Sequence, residues 1–153
     1  MNRNFLFVLT LLSFTLSPAL QAQDEAAAVK KTIETLFDGM RAGDSSMVHS
    51  VMMDTVIMQT IAANRQGKIV LSEGSLQNFL NSVGTPHKDV YDERILDYEI
   101  KIDGPMASAW TPYEFYVGER FSHCGVNSFQ LMKTDEGWKM IYLVDTRRRQ
   151  GCK

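Results

Sequence analysis

Three histidines, two cysteines and a late arginine run are the residues of this chain that invite chemistry. His123 stands in the stretch Phe121-Ser122-His123-Cys124-Gly125. An imidazole titrates near neutrality, so His123 is the natural proton-transfer candidate. It serves equally as a histidine hydrogen-bonded within a sheet. Its carboxylate partner is not fixed by spacing: Asp54, Asp97, Glu99, Glu114 and Asp145 all fall on elements of open facing. His123 and Cys124 are adjacent, and neighbouring side chains on a strand point to opposite faces, which argues against a shared metal. His49 and His87 offer no ligand spacing with either. No phosphate loop, nucleophile elbow, dinucleotide fingerprint or zinc helix motif occurs. No cofactor and no metal are expected. Arg147, Arg148 and Arg149 form a basic run just before Cys152. It reads as a solvated strand end, with an anion or lipid headgroup as the sharper alternative.

The compartment follows from the first residues. Arg3 precedes an uncharged apolar run over 5–16, and Ser17, Pro18 and Ala19 break it before the small residue Ala22. That is the layout of a secretory signal peptide, with cleavage expected after Ala22. The run is about a dozen residues, against the roughly 20 that a spanning helix needs. Residues 1–22 are thus expected to be an export signal and 23–153 a single domain, periplasmic or secreted, with no integral membrane segment after cleavage. In an oxidising compartment Cys124 and Cys152 are expected to pair, a catalytic thiol being the alternative. A formal charge of -2 over 153 residues provides no basic field for nucleic acid.

The elements that must position these residues are readable from periodicity. Val29, Ile33, Leu36, Phe37 and Met40 recur at helical steps over 24–42, and Gly43 suits the stop. Asp44 or Ser45 caps a short second helix with Met47, Val48, Val51 and Met52 inward. Residues 55–61 and 69–71 read as a hairpin around the turn 64–67. Ser72 is expected to cap a third helix ending near Gly84, with Leu71 and Leu76 as a hydrophobic staple. Strands follow at 95–102, 106–117, 121–133 and 138–146, a four-stranded antiparallel meander. The expected class is α+β: a cone-shaped half-barrel with two to three N-terminal helices on a curved, mainly antiparallel sheet.

Taking the Gly118 turn as centre, Phe115 falls opposite His123, Tyr113 opposite Gly125 and Thr111 opposite Asn127, all on one face. Continuing across the next turn adds Phe129 and Leu131, then Trp138, Met140 and Tyr142. The expected ligand pocket is therefore Tyr113, Phe115, His123, Asn127, Phe129, Trp138, Met140 and Tyr142, mostly apolar with sparse polar groups. A bulge near Pro112 would change part of that set. Trp110, Ile100, Ile102, Val126, Ile141 and Leu143 are expected on the opposite face. There, a half-apolar surface suggests a symmetric homodimer.

The helix end Phe37-Asp38-Gly39-Met40-Arg41-Ala42-Gly43-Asp44 and the closing Glu136-Gly137-Trp138-Lys139-Met140-Ile141 resemble the nuclear-transport-factor-2-like superfamily. Pro112-Tyr113-Glu114-Phe115 with the block 121–129 resembles its secreted bacterial branch labelled lumazine-binding. The resemblance implies a cone-shaped α+β barrel with a pocket between helices and sheet. It also implies relatives among ketosteroid isomerases, polyketide cyclases and dehydratases, whose catalytic positions do not transfer residue by residue here. Three functions stay open: binding of a small apolar or aromatic molecule, acid–base catalysis using His123, and a protein–protein module with a filled cone.

Overall fold

A computed structural model of the chain describes residues 18–152. The apolar run expected to direct export lies outside the described residues. Three helices, α1 (Pro18–Ala42), α2 (Ser45–Ser50) and α3 (Leu76–Gly84), pack on one concave face of a seven-stranded sheet. The strands are β1 (Met52–Ala63), β2 (Ile69–Gly74), β3 (Tyr91–Ile95), β4 (Glu99–Asp103), β5 (Met106–Val117), β6 (Arg120–Thr134) and β7 (Gly137–Arg147). Their order is β2-β1-β7-β6-β5-β3, with β4 also on β5. No described helix is long and apolar enough to cross a membrane.

Helix α1 lays the expected stripe, Val29, Ile33, Leu36, Phe37 and Met40, against the sheet, and all five are buried. Asp44 caps α2 by accepting from the backbone N–H of Ser46 and Met47. Gly39 lets α2 close on α1, because a Cβ there would stand 2.8 Å from Val48 Cγ2. The third helix is capped by Ser75 rather than Ser72. Strand β2 runs through Gly74, and Leu71 is exposed on it, so the expected staple does not form.

The sheet departs from a simple meander in two ways. In place of the one strand expected at 95–102 stand two, laid end to end along β5: β3, which begins earlier at Tyr91, against 113–117, and β4 against 106–110. The break falls opposite Pro112, which has no N–H to extend the ladder and only accepts, from Leu96. Asp97 turns its carboxyl onto the Tyr98 N–H, consolidating the bend. Second, β1 pairs with β7 in parallel, Thr60 opposite Asp145. That pairing joins the hairpin to the meander as one sheet.

Pairing around Gly118 follows the expected register: Phe115 with His123, Tyr113 with Gly125, Thr111 with Asn127. A bulge between Gln130 and Leu131 then breaks parity along β7. Leu131 faces Met140, but Gln130 faces Tyr142, so one extra residue, Ile141, is absorbed. Tyr142 is carried to the outer face, where its hydroxyl bonds Gln59. Leu143 and Asp145 turn inward instead, paired with Phe129 and Asn127. Ile100 and Ile102 also pack toward the buried core rather than outward. The convex face keeps Trp110, Met106, Ile57, Ile69 and Leu71 exposed.

Cys124 and Cys152 form a disulfide. Cys124 and Arg148 also exchange both backbone hydrogen bonds at 2.9 Å, so the C-terminal segment is stitched to β6 beside His123. Opening the covalent loop restores entropy to the unfolded chain, so Cys152→Ser is expected to cost about 3 kcal/mol in urea unfolding. Thiol titration of the denatured, unreduced protein is expected to find no free thiol; two per chain would contradict the pairing.

Candidate functional site

A cavity of about 410 Å³ opens between α1, α3 and the concave face of the sheet. Its apolar wall comes from helical spacing: Leu36, Phe37 and Met40 on α1, and Phe79 and Val83 on α3. The sheet contributes Met58, Leu143, Tyr91 and Phe115. The polar groups gather at one end, where β3, β6 and β7 present Glu93, Asn127, His123, Asp145 and Arg147. On β3, Tyr91 and Glu93 share a face by strict alternation, and Glu93 is opposite Phe115 in register. Arg41, at the end of α1, holds β3 in place by donating to Asp92 Oδ1 and the Glu93 carbonyl, both at 3.2 Å.

Asp145 is buried and accepts from three side chains. Thr60 Oγ1 donates at 2.6 Å, Tyr113 OH at 3.1 Å and Arg147 Nε at 2.6 Å. The Tyr113 hydroxyl also donates to the Thr146 carbonyl at 3.0 Å. Its ring crosses Gly125 to reach that position. A Cβ on residue 125 would stand 1.7 Å from the Thr146 carbonyl oxygen and 2.9 Å from the Tyr113 ring, so only glycine fits. Burial pushes the Tyr113 phenol well above its ordinary range, and Glu93 and Asp145 add to the shift, which keeps it a neutral donor.

Glu93 is differently served. Asn127 Nδ2 donates to its Oε1 at 2.7 Å. Among the described residues, Oε2 has no hydrogen-bond partner, and no unpartnered side-chain atom is sealed from solvent, so this oxygen faces the cavity. Burial raises the carboxyl to about 7. The Asn127 bond works against that rise, the Asp145 charge adds to it and Arg147 opposes it. Glu93 is therefore a carboxyl that exchanges its proton near neutrality at the polar end of an apolar cavity.

His123 lies between the Phe115 ring, at 5.0 Å, and the edge of Tyr113, at 5.8 Å. Its Nδ1 is 3.0 Å from Ser122 Oγ. Among the described residues, no carboxyl hydrogen-bonds its ring. Burial lowers its pKa, Arg147 and Arg149 lower it further, and Asp145 opposes them. The ring is thus neutral at physiological pH.

Of the eight side chains expected to line the pocket, Phe115, His123 and Asn127 do so. Tyr113 is buried beneath the polar end, reaching the site through Asp145. Phe129 and Met140 are fully buried in the core between α1 and the sheet, filling the cone where a cavity was expected. Trp138 closes the far end, its indole N–H donating to Glu25 on α1 at 3.0 Å. Tyr142 is on the outer face. Asp54 is exposed and pairs with His49, away from the cavity. Glu93 was not among the expected site residues, and Arg147 was expected only in the basic run and not in the cavity. Alternation of Tyr91 and Glu93 was a signal for the first, but the broken strand hid which face they share.

No family model matches the chain, and no curated protein matches it. Solved structures do. A Mycobacterium tuberculosis protein of unknown function superposes with a TM-score of 0.70 at 11% identity, over 88% of this chain and 78% of that one. A nuclear-transport-factor-2-like protein with a cystatin-like fold from Novosphingobium aromaticivorans gives 0.68 at 10%, over 87% of each chain. A provisionally named scytalone dehydratase from the same organism gives 0.68 at 11%, over 85% and 88%. These identities carry the architecture and leave function to the site. The chain has the nuclear-transport-factor-2-like fold: helices followed by a curved, open, mainly antiparallel sheet.

Proposed function

We propose that the chain binds a small, largely apolar or aromatic molecule in the cavity under α1 and α3. The observation that carries this is the cavity's division into an apolar wall and one polar end, with Glu93 Oε2 open to it. Its volume of about 410 Å³ is in the range of small-molecule sites. The test is fluorescence titration with phenylnaphthylamine, a neutral aromatic reporter. Binding with a dissociation constant on the order of micromolar is expected. Leu143→Trp, which fills the cavity from β7, and Asn78→Trp, at its α3 rim, are expected to weaken it at least about tenfold while the fold survives by circular dichroism. Unchanged binding in both would place the reporter elsewhere.

Acid–base catalysis of the isomerase, cyclase or dehydratase type is the second reading, and Glu93 favours it more than His123 does. Glu93 holds a proton near neutrality and faces the cavity, whereas no carboxyl among the described residues bonds the His123 ring. Affiliation with the lumazine-binding branch and export after cleavage at Ala22 are parts of the same proposal. N-terminal sequencing of the native protein, beginning at Gln23, checks the second. We also place a homodimer on the convex face around Trp110, where Met106 and Met132 are exposed as well. Light scattering at micromolar concentration is expected to give twice the chain mass, and Trp110→Glu to give the monomer; a monomeric wild type would refute the dimer.

The Glu93 carboxyl makes stability depend on pH. In the fold it titrates near 7 rather than at its ordinary 4.5. Between those values the folded state holds a proton that the unfolded chain has released. Stability is therefore full below about 4.5, falls as pH rises through about 7, and levels above it. The fall amounts to about 3 kcal/mol at most. Urea unfolding of Glu93→Gln is expected to flatten this slope and to raise stability at alkaline pH; an unchanged slope would contradict the assignment.

A further inference from the structure

The arginine run adjoins the polar end just described and shares Arg147 with it. A second, open notch is lined by Arg147, Arg148, Arg149, Ser122 and His123, with Ala62 and Ala63 of β1 as its floor. His123 and Arg147 line both this notch and the apolar cavity, so the two are continuous through them. No Asp or Glu is among the residues lining the notch. Arg147 commits Nε and Nη2 to Asp145. Among the described residues the Arg148 side chain makes one hydrogen bond, to the Gly151 carbonyl. Arg149 makes no hydrogen bond or ion pair among the described residues. Its charge and that of Arg147 both act on the His123 ring.

These arginines do not sit on a fraying tail. Cys124 and Arg148 exchange two backbone hydrogen bonds, and the Cys124–Cys152 disulfide closes the segment onto β6. The strand end is fixed on both sides of the run. Holding like charges together on a short segment costs energy, and guanidinium groups carried on an anchored backbone, lining a notch with a hydroxyl and an imidazole, match the oxygens of a carboxylate, sulfonate or phosphate.

We propose that this notch binds the anionic head of the molecule whose apolar body fills the cavity. The ligand class is then an amphipathic organic anion, an aromatic or aliphatic acid, lying with its acidic group at His123, Arg148 and Arg149 and its apolar part under α1 and α3. The proposal rests on the cavity-binding function and adds the charge and orientation of the ligand. It gives the disulfide a task beyond stability, that of presenting the arginines.

Two reporters with the same ring system separate the two claims. Phenylnaphthylamine is neutral; anilinonaphthalenesulfonate carries one sulfonate. The wild-type protein is expected to bind the sulfonate about tenfold more tightly in dilute buffer, with the advantage shrinking between about 0.05 and about 1 M salt. The double variant Arg148→Gln/Arg149→Gln is expected to lose most of that advantage while binding the neutral reporter as wild type does. Histidine NMR gives an independent readout. The sulfonate is expected to raise the His123 pKa by offsetting the arginine charges, and Arg149→Gln to raise it in the free protein. Equal affinity for the two reporters, unaltered by the double variant, overturns the notch and leaves cavity binding standing. Binding of neither overturns both. Equal reporter affinities with sedimentation on phosphatidylglycerol vesicles, lost in the double variant, assign the arginines to a lipid surface and overturn the proposal as well.

Discussion

A buried carboxyl must find partners or be expelled, and Asp145 organises one end of this molecule by finding them from three directions. Thr60 on β1, Tyr113 on β5 and Arg147 on β7 all donate to it. For Tyr113 to reach across β6, the residue beneath its ring must lack a side chain, and Gly125 supplies that. The contact therefore ties β1, β5 and β7 together across β6, including the parallel β1–β7 pair that no hairpin enforces. Losing one donor would leave the carboxyl buried and underpaired, a penalty well above the worth of a surface ion pair. The polar end of the cavity is built on this cluster. Arg147 is aimed by Asp145, Asn127 is opposite it in register, and Asn127 in turn holds Glu93.

Much of the fold is legible in the sequence because its periodic signals are undisturbed. The α1 stripe, the Asp44 cap and the Gly118 turn each follow from local chemistry, and short turns fix the pairing of β5 with β6. What was not legible arises where one strand's geometry depends on another's. Ile141 has no sequence mark of a bulge, yet absorbing it exchanges Tyr142 for Leu143 and Asp145 on the inner face. The split at 96–98 is set by Pro112 on the neighbouring strand, so the facing of Glu93 depends on a residue in another element. The candidate site was legible in its β5 and β6 parts, Phe115, His123 and Asn127, and hidden in its β3 and β7 parts. Parity placed Phe129, Trp138 and Met140 on the correct face but could not say how far α1 fills the cone. Their burial shows that it fills that half and leaves the cavity to the other.

The electrostatics of the open half run in one direction. The wall under α1 and α3 is apolar, the Glu93 and Asp145 carboxyls lie at its end, and the arginines follow beyond His123. Such an ordered sequence gives a ligand one favourable orientation. It also explains why His123 is a poor candidate for an isolated base: burial among aromatic rings lowers its pKa, and the charges of Arg147 and Arg149 lower it further. Glu93, raised by burial, is the group in the cavity whose protonation changes with small shifts in its surroundings.

As a proposed binding site, the cavity should be occupied in the native protein rather than left as a packing gap. Native mass spectrometry of the protein purified from its source tests it most directly. A small organic adduct is predicted on the wild-type chain, released on denaturation and absent from Leu143→Trp purified in the same way. A bare chain mass for both proteins, under conditions that preserve non-covalent complexes, would contradict the account.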